Sequence, residues 1–139
     1  MKNKTYLKLI GIFIFGFMMF TSCSSDDDGN APLDSTFTDK WWFDSNNFAA
    51  DVYFDSNGDF EQFIDFGGLQ NTSTGDWAWE DQEAGIIKIT NYMGGGQALG
   101  EVFLKISDLE DSTMTLQQST NGIDYSFEVF YVDVEPEDE

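Results

Sequence analysis

From residue 40 onward the chain is a series of short runs in which apolar and polar residues alternate, each ended by Gly, Asn, Asp or Ser. Successive side chains on an extended backbone point to opposite faces, so alternation at period two marks a strand with one buried face. Residues 50–54 set Ala50, Val52 and Phe54 against Asp51 and Tyr53. Residues 60–66 set Phe60, Gln62, Ile64 and Phe66 against Glu61, Phe63 and Asp65. Between these two runs, Asp55-Ser56-Asn57-Gly58 is a hairpin turn, because Asn-Gly tolerates positive φ. Residues 75–80 put Trp77 and Trp79 on one side, residues 86–91 turn Ile87 and Ile89 inward, and residues 101–109 do the same with Val102, Leu104 and Ile106. Residues 40–43, 113–118 and 125–133 complete the series, the last two joined by a turn at Asn121-Gly122. Residues 67–73 read as a polar loop, and Gly94-Gly95-Gly96 as a flexible one.

No stretch keeps a 3.6-residue apolar period, and no connection is long enough for the crossover helix that parallel strands need. The fold class is therefore all-β: about eight short antiparallel strands, best placed in an up-and-down barrel that leaves no exposed edge. A β-sandwich is the alternative arrangement of the same strands. Residues 37–134 form one domain and 135–139 an acidic tail. A unit this small must bury aromatics densely to offset a backbone entropy of about 1–2 kcal/mol per residue.

The N-terminus has a different character. Lys2, Lys4 and Lys8 precede an uncharged apolar run at residues 9–20. As a helix that run spans roughly 18 Å, short of a hydrocarbon core of roughly 30 Å, so residues 1–22 read as a signal peptide rather than a membrane span. Phe20-Thr21-Ser22-Cys23 resembles a lipobox, in which two small residues precede the cysteine that becomes lipidated. Cys23 is the only cysteine, so no disulfide can form within the chain. Ser24, Ser25, Asp26, Asp27 and Asp28 resemble the acidic export tag that follows the lipidated cysteine in surface lipoproteins of Bacteroidota-type bacteria. Residues 23–36 then form an acidic, flexible linker. The implied location is the cell envelope, lipid-anchored and facing outward from the outer membrane, with the membrane as a partner through the acyl chains.

Once the leader is removed, Lys40, Lys88 and Lys105 are the only cations, three lysines against 26 carboxylates, a formal −23. Binding to nucleic acid depends on cations that neutralise phosphates, and this chain has no arginine and few lysines to offer. Histidine is absent, which removes His-based triads and the usual zinc sets, so no catalytic residue, metal ligand or cofactor is assigned and the chain reads as a non-enzyme. Asp55, Asn57, Asp59 and Glu61 alternate like the start of a calcium loop, but Phe66 stands where its closing glutamate belongs, and a plain hairpin explains them.

The folded region resembles the lipocalin-like domain of surface lipoproteins, a relative of the lipocalin and calycin barrels. Phe37-Thr38-Asp39-Lys40-Trp41 corresponds to an apolar-x-Gly-x-Trp motif, with Asp39 in the place of the glycine. Gly75-Asp76-Trp77 corresponds to a Gly-x-aromatic motif. Ile106-Ser107-Asp108-Leu109 with Ser112-Thr113-Met114-Thr115-Leu116 corresponds to the ending of that domain. The resemblance implies a barrel with an apolar interior, plugged at one end by Trp41 or Trp42, that binds a small hydrophobic or amphipathic ligand. Trp77, Trp79, Phe60, Gln62, Ile64 and Gln118 are the candidate wall residues. Strands this short enclose little volume, so the same aromatics suit filling an interior as well as lining one. Two other readings belong to different classes: an envelope-assembly module using the outward rings Phe63, Phe103 and Phe130, and an acidic domain that binds glycan or calcium.

Overall fold

The computed structural model describes residues 33–137. The signal peptide, Cys23, the Ser24, Ser25, Asp26, Asp27 and Asp28 tag and most of the linker lie outside the described residues. A one-turn helix α1 (Leu33–Phe37) is followed by eight strands: β1 (Trp41–Asp44), β2 (Asp51–Phe54), β3 (Asp59–Phe66), β4 (Leu69–Asp81), β5 (Ile86–Gly94), β6 (Gln97–Ser107), β7 (Thr113–Ser119) and β8 (Val129–Val132). Each pairs antiparallel with the next, and β8 pairs with β1 through Phe43↔Val132 and Asp44↔Tyr131. The sheet is a closed up-and-down barrel, so the sandwich alternative falls.

Three boundaries differ from the sequence reading. The expected loop at 67–73 is a two-residue turn at Gly67-Gly68, both at positive φ, and β4 begins at Leu69 opposite Phe66. Gly95-Gly96 is likewise a tight turn, with Gly94 paired to Gln97. The Gln70–Ser73 stretch carries no apolar alternation because both of its faces are wet: Asn71 and Ser73 look into an open cavity, and Gln70 and Thr72 face solvent. β8 is shorter than expected. Ser126 pairs with Gln118 by one backbone bond, its N–H donating to the Gln118 carbonyl at 2.8 Å, while its Oγ rather than a carbonyl takes the Gln118 N–H at 3.0 Å.

One end of the barrel is packed solid. Phe37, at the end of α1, is fully buried with its ring edge-on to Phe54, Trp77 and Trp79 at 5.2, 5.4 and 5.6 Å. α1 thus packs on the barrel through Phe37 and through Asp34, whose Oδ1 accepts the Trp79 Nε1–H. Trp42 is the plugging indole: it is fully buried and its Nε1 donates to the Phe37 carbonyl at 2.8 Å. Trp41 points outward and packs on Tyr53. Asp39, at the glycine position of the motif it resembles, has a positive φ of 62°, and its carboxylate accepts the Ser56 N–H at 2.8 Å. Ile87, Ile89, Ile106 and Met114 complete this floor.

Candidate ligand cavity

In an up-and-down barrel alternate connections lie at the same end. The loops at 45–50, 67–68, 95–96 and 120–128 all stand opposite the floor, and the interior there is hollow. A cavity of about 880 Å³ begins at mid-barrel and opens at that end. Val52, Leu104, Leu116 and Val129 give it an apolar wall, and Gln62, Ser73, Tyr92 and Gln118 supply polar groups.

Those polar groups are fixed by identifiable causes. Simple alternation from Ile87 and Ile89 would turn Asn91 inward and Tyr92 outward. A bulge between β5 and β6 intervenes, with Asn91 at φ 49°, and Tyr92 turns in instead. Its hydroxyl donates to Gln62 Oε1, which fixes the orientation of that amide. Gly75 permits the close approach on the neighbouring strand, since a Cβ there would stand 2.8 Å from Ile89 Cγ2 and 2.9 Å from the Thr90 carbonyl oxygen. Across the cavity, Tyr131 donates to the Ala50 carbonyl at 2.8 Å. Burial, followed by the charges of Asp44 and Asp51, pushes the Tyr131 hydroxyl well above its ordinary pKa, so it remains a donor throughout the physiological range.

The mouth is apolar. Phe48 and Phe127, 81 % and 82 % exposed, border the cavity together with the half-exposed Leu99, and at the same end Ile123 stands exposed on its loop and Phe66 and Leu69 at the strand ends beside the Gly67-Gly68 turn. The 45–50 loop is tied down from below by Asp44, which is 1 % exposed. Its Oδ2 accepts the Phe48 and Ala49 N–H groups at 2.7 Å each, and its Oδ1 accepts that of Asn46 at 3.1 Å.

Of the six candidate wall residues, the structure brings three together on the cavity wall: Gln62, Ile64 and Gln118. The other three lie below it. Phe60 sits between Phe54 and Tyr92 at the base, while Trp77 and Trp79 belong to the floor. Their indole N–H groups point away from the cavity, Trp77 donating to the Asp55 carbonyl at 2.8 Å and Trp79 to Asp34 Oδ1 at 2.6 Å. Alternation gives the face of a residue but not its height along the barrel. Tyr92, Tyr131 and Asp44 were missed. The bulge hides the first from any periodic pattern, and the other two are single polar residues in apolar strands.

Phe63, Phe103 and Phe130 do not form one patch, since they stand on β3, β6 and β8, which are not neighbours. Phe103 is also covered, with Lys88 5.5 Å from its ring centre and Gly122 packed on its face. In the Asp55 turn, the carboxylate accepts both the backbone and side-chain N–H groups of Asn57 at 2.7 Å. Among the described residues, no group of three or more acidic or cysteine side chains is arranged to hold a metal ion.

Fold and cavity together define a class: an eight-stranded antiparallel barrel, plugged by aromatics at one end and hollow at the other, compatible with a lipocalin-like fold. Comparison of the chain with protein-family models, with curated proteins and with solved structures found no match.

Proposed function

We propose that this protein is a lipid-anchored lipoprotein of the cell envelope whose lipocalin-like barrel holds a small hydrophobic or amphipathic molecule without transforming it. The observation that carries the reading is the cavity of about 880 Å³, a size suited to one small ligand. Its apolar wall favours burial of a greasy body at about 25 cal/mol per Å² of apolar surface, and the Gln62–Tyr92 pair orients a polar group against it. The apolar rim offers such a molecule a surface to meet first. Cys23 supplies the anchor. The chain enters the barrel beside the floor, where α1 packs, at the end opposite the mouth.

The eight strands and the core cluster of the described residues lie within residues 33–137, so a chain starting after Cys23 retains them. Titrated with the neutral fluorophore 1-N-phenylnaphthylamine, that chain gives a saturable one-to-one rise in emission, and Ile64→Trp, which places a bulky indole on the cavity wall, weakens it. A linear, unsaturable response in the parent chain would contradict the reading. For the anchor, Cys23→Ser moves the protein from the membrane to the soluble fraction, and a variant that still pellets with membranes would disprove lipidation.

A further inference from the structure

Resting on the reading above, we propose that the cavity sorts its ligands by head-group charge, accepting apolar chains that carry an ammonium group and refusing those that carry a carboxylate. Every cation of the folded region is placed elsewhere. Lys40 lies by the floor, paired with Asp133 at 3.4 Å. Lys88 is on the outer face, paired with Glu101 at 2.9 Å. Lys105 alternates outward between the inward-facing Leu104 and Ile106. None of the three lines the cavity.

The single charged side chain on its border is Asp124, which is exposed on the 120–128 loop and hydrogen-bonded by Asn121 Nδ2 at 2.9 Å. A carboxylate head at the mouth would therefore lose water, find no counter-charge and stand in the field of a strongly acidic body. An ammonium head finds the reverse: a carboxylate, the exposed rings of Phe48 and Phe127 with their negative faces, and a favourable field. The hydrocarbon part is served equally in both cases by Leu104, Leu116 and Val52, so the head decides.

The test uses three probes of equal chain length, dodecylammonium, dodecanol and dodecanoate, each displacing 1-N-phenylnaphthylamine from the chain starting after Cys23. The expected order at low salt is dodecylammonium, then dodecanol, then dodecanoate, with a ratio of about tenfold or more between the ends. In 0.5 M salt the ratio narrows as the field is screened, and in Asp124→Lys it narrows at low salt too. Dodecanoate displacing as well as dodecylammonium would overturn the inference and leave the cavity reading standing. Displacement by tetramethylammonium, which has a head but no chain, would locate the effect on the acidic surface and also overturn it. Failure of the fluorophore itself to bind would remove both the cavity reading and this inference.

Discussion

Replacing Phe37 with alanine tests whether the aromatic floor, and with it α1, holds the barrel together. The ring is fully buried, and it meets Phe54, Trp77 and Trp79 edge-on. Truncating a buried phenylalanine costs about 3–5 kcal/mol through lost transfer energy and the remaining cavity. Each edge-to-face pair adds about 0.5–1.5 kcal/mol beyond its area, partly counted in that figure already. Loosening α1 further endangers the bond from Trp42 Nε1 to the Phe37 carbonyl. About 4 kcal/mol is the expected loss. In a domain of about 100 residues, where 1 kcal/mol moves Tm by about 4–8 °C, that is a fall of about 15–30 °C. Phe37→Leu keeps most of the apolar volume but loses the ring pairs, and should cost about 1–2 kcal/mol. Urea unfolding followed by tryptophan emission reads both variants, with an unchanged m-value showing that only stability has moved. A loss under about 1 kcal/mol for Phe37→Ala would refute the account of the floor.

Three further outcomes follow from the same geometry. Asp44→Ala strips the acceptor from three loop N–H groups and should lower stability by about 2–4 kcal/mol in urea unfolding, with Asp44→Asn milder because its one carbonyl oxygen still accepts. Asp51 has its pKa raised, first by burial and then by Glu135 and Asp44, against a lowering hydrogen bond from the Asp44 N–H. The folded state therefore holds that proton more tightly than the unfolded chain, and stability falls as pH rises from the unfolded pKa through the folded one. Asp51→Asn should accordingly be more stable than the parent at pH 7 and lose that advantage near pH 3, as thermal melts across pH would read; a gain confined to acid would contradict the sign. Gly75→Ala pushes a methyl into Ile89 and the Thr90 carbonyl at the bulge, costing about 1–3 kcal/mol and weakening 1-N-phenylnaphthylamine binding by disturbing Tyr92.

The fold class was legible because antiparallel strands joined by short turns carry an alternating apolar inner face, and the β1–β8 pairing decides for a barrel over a sandwich. Val52 and Phe54, Ile87 and Ile89, and Val102, Leu104 and Ile106 all face inward as their alternation requires. The candidate site was legible only in part. Gln62, Ile64 and Gln118 stood out as breaks or members of inward faces near the mouth, but nothing local distinguishes the height of Ile64 from that of Phe60 on the same strand. Trp77 and Trp79 are held low by bonds to Asp55 and Asp34, residues far away in sequence. Tyr92 depends on a bulge, and bulges break the very period from which inward residues are read. The outer part of the β3–β4 hairpin, residues 67–73, reads as a loop for a related reason: where a strand lines an open cavity, neither face needs to be apolar, and the pattern that identifies strands disappears.

The central claim is that the barrel is solid below and hollow above, and cysteine accessibility tests it directly. A chain starting after Cys23 has no other thiol, so Ile64→Cys and Ile87→Cys each give one reporter, the first partly exposed on the cavity wall and the second fully buried in the floor. Treated with a small methanethiosulfonate reagent under native conditions, Ile64→Cys should react readily and be protected by 1-N-phenylnaphthylamine, while Ile87→Cys should react only on unfolding. Equal protection of the two thiols in the native protein would mean that the interior is packed throughout and holds nothing.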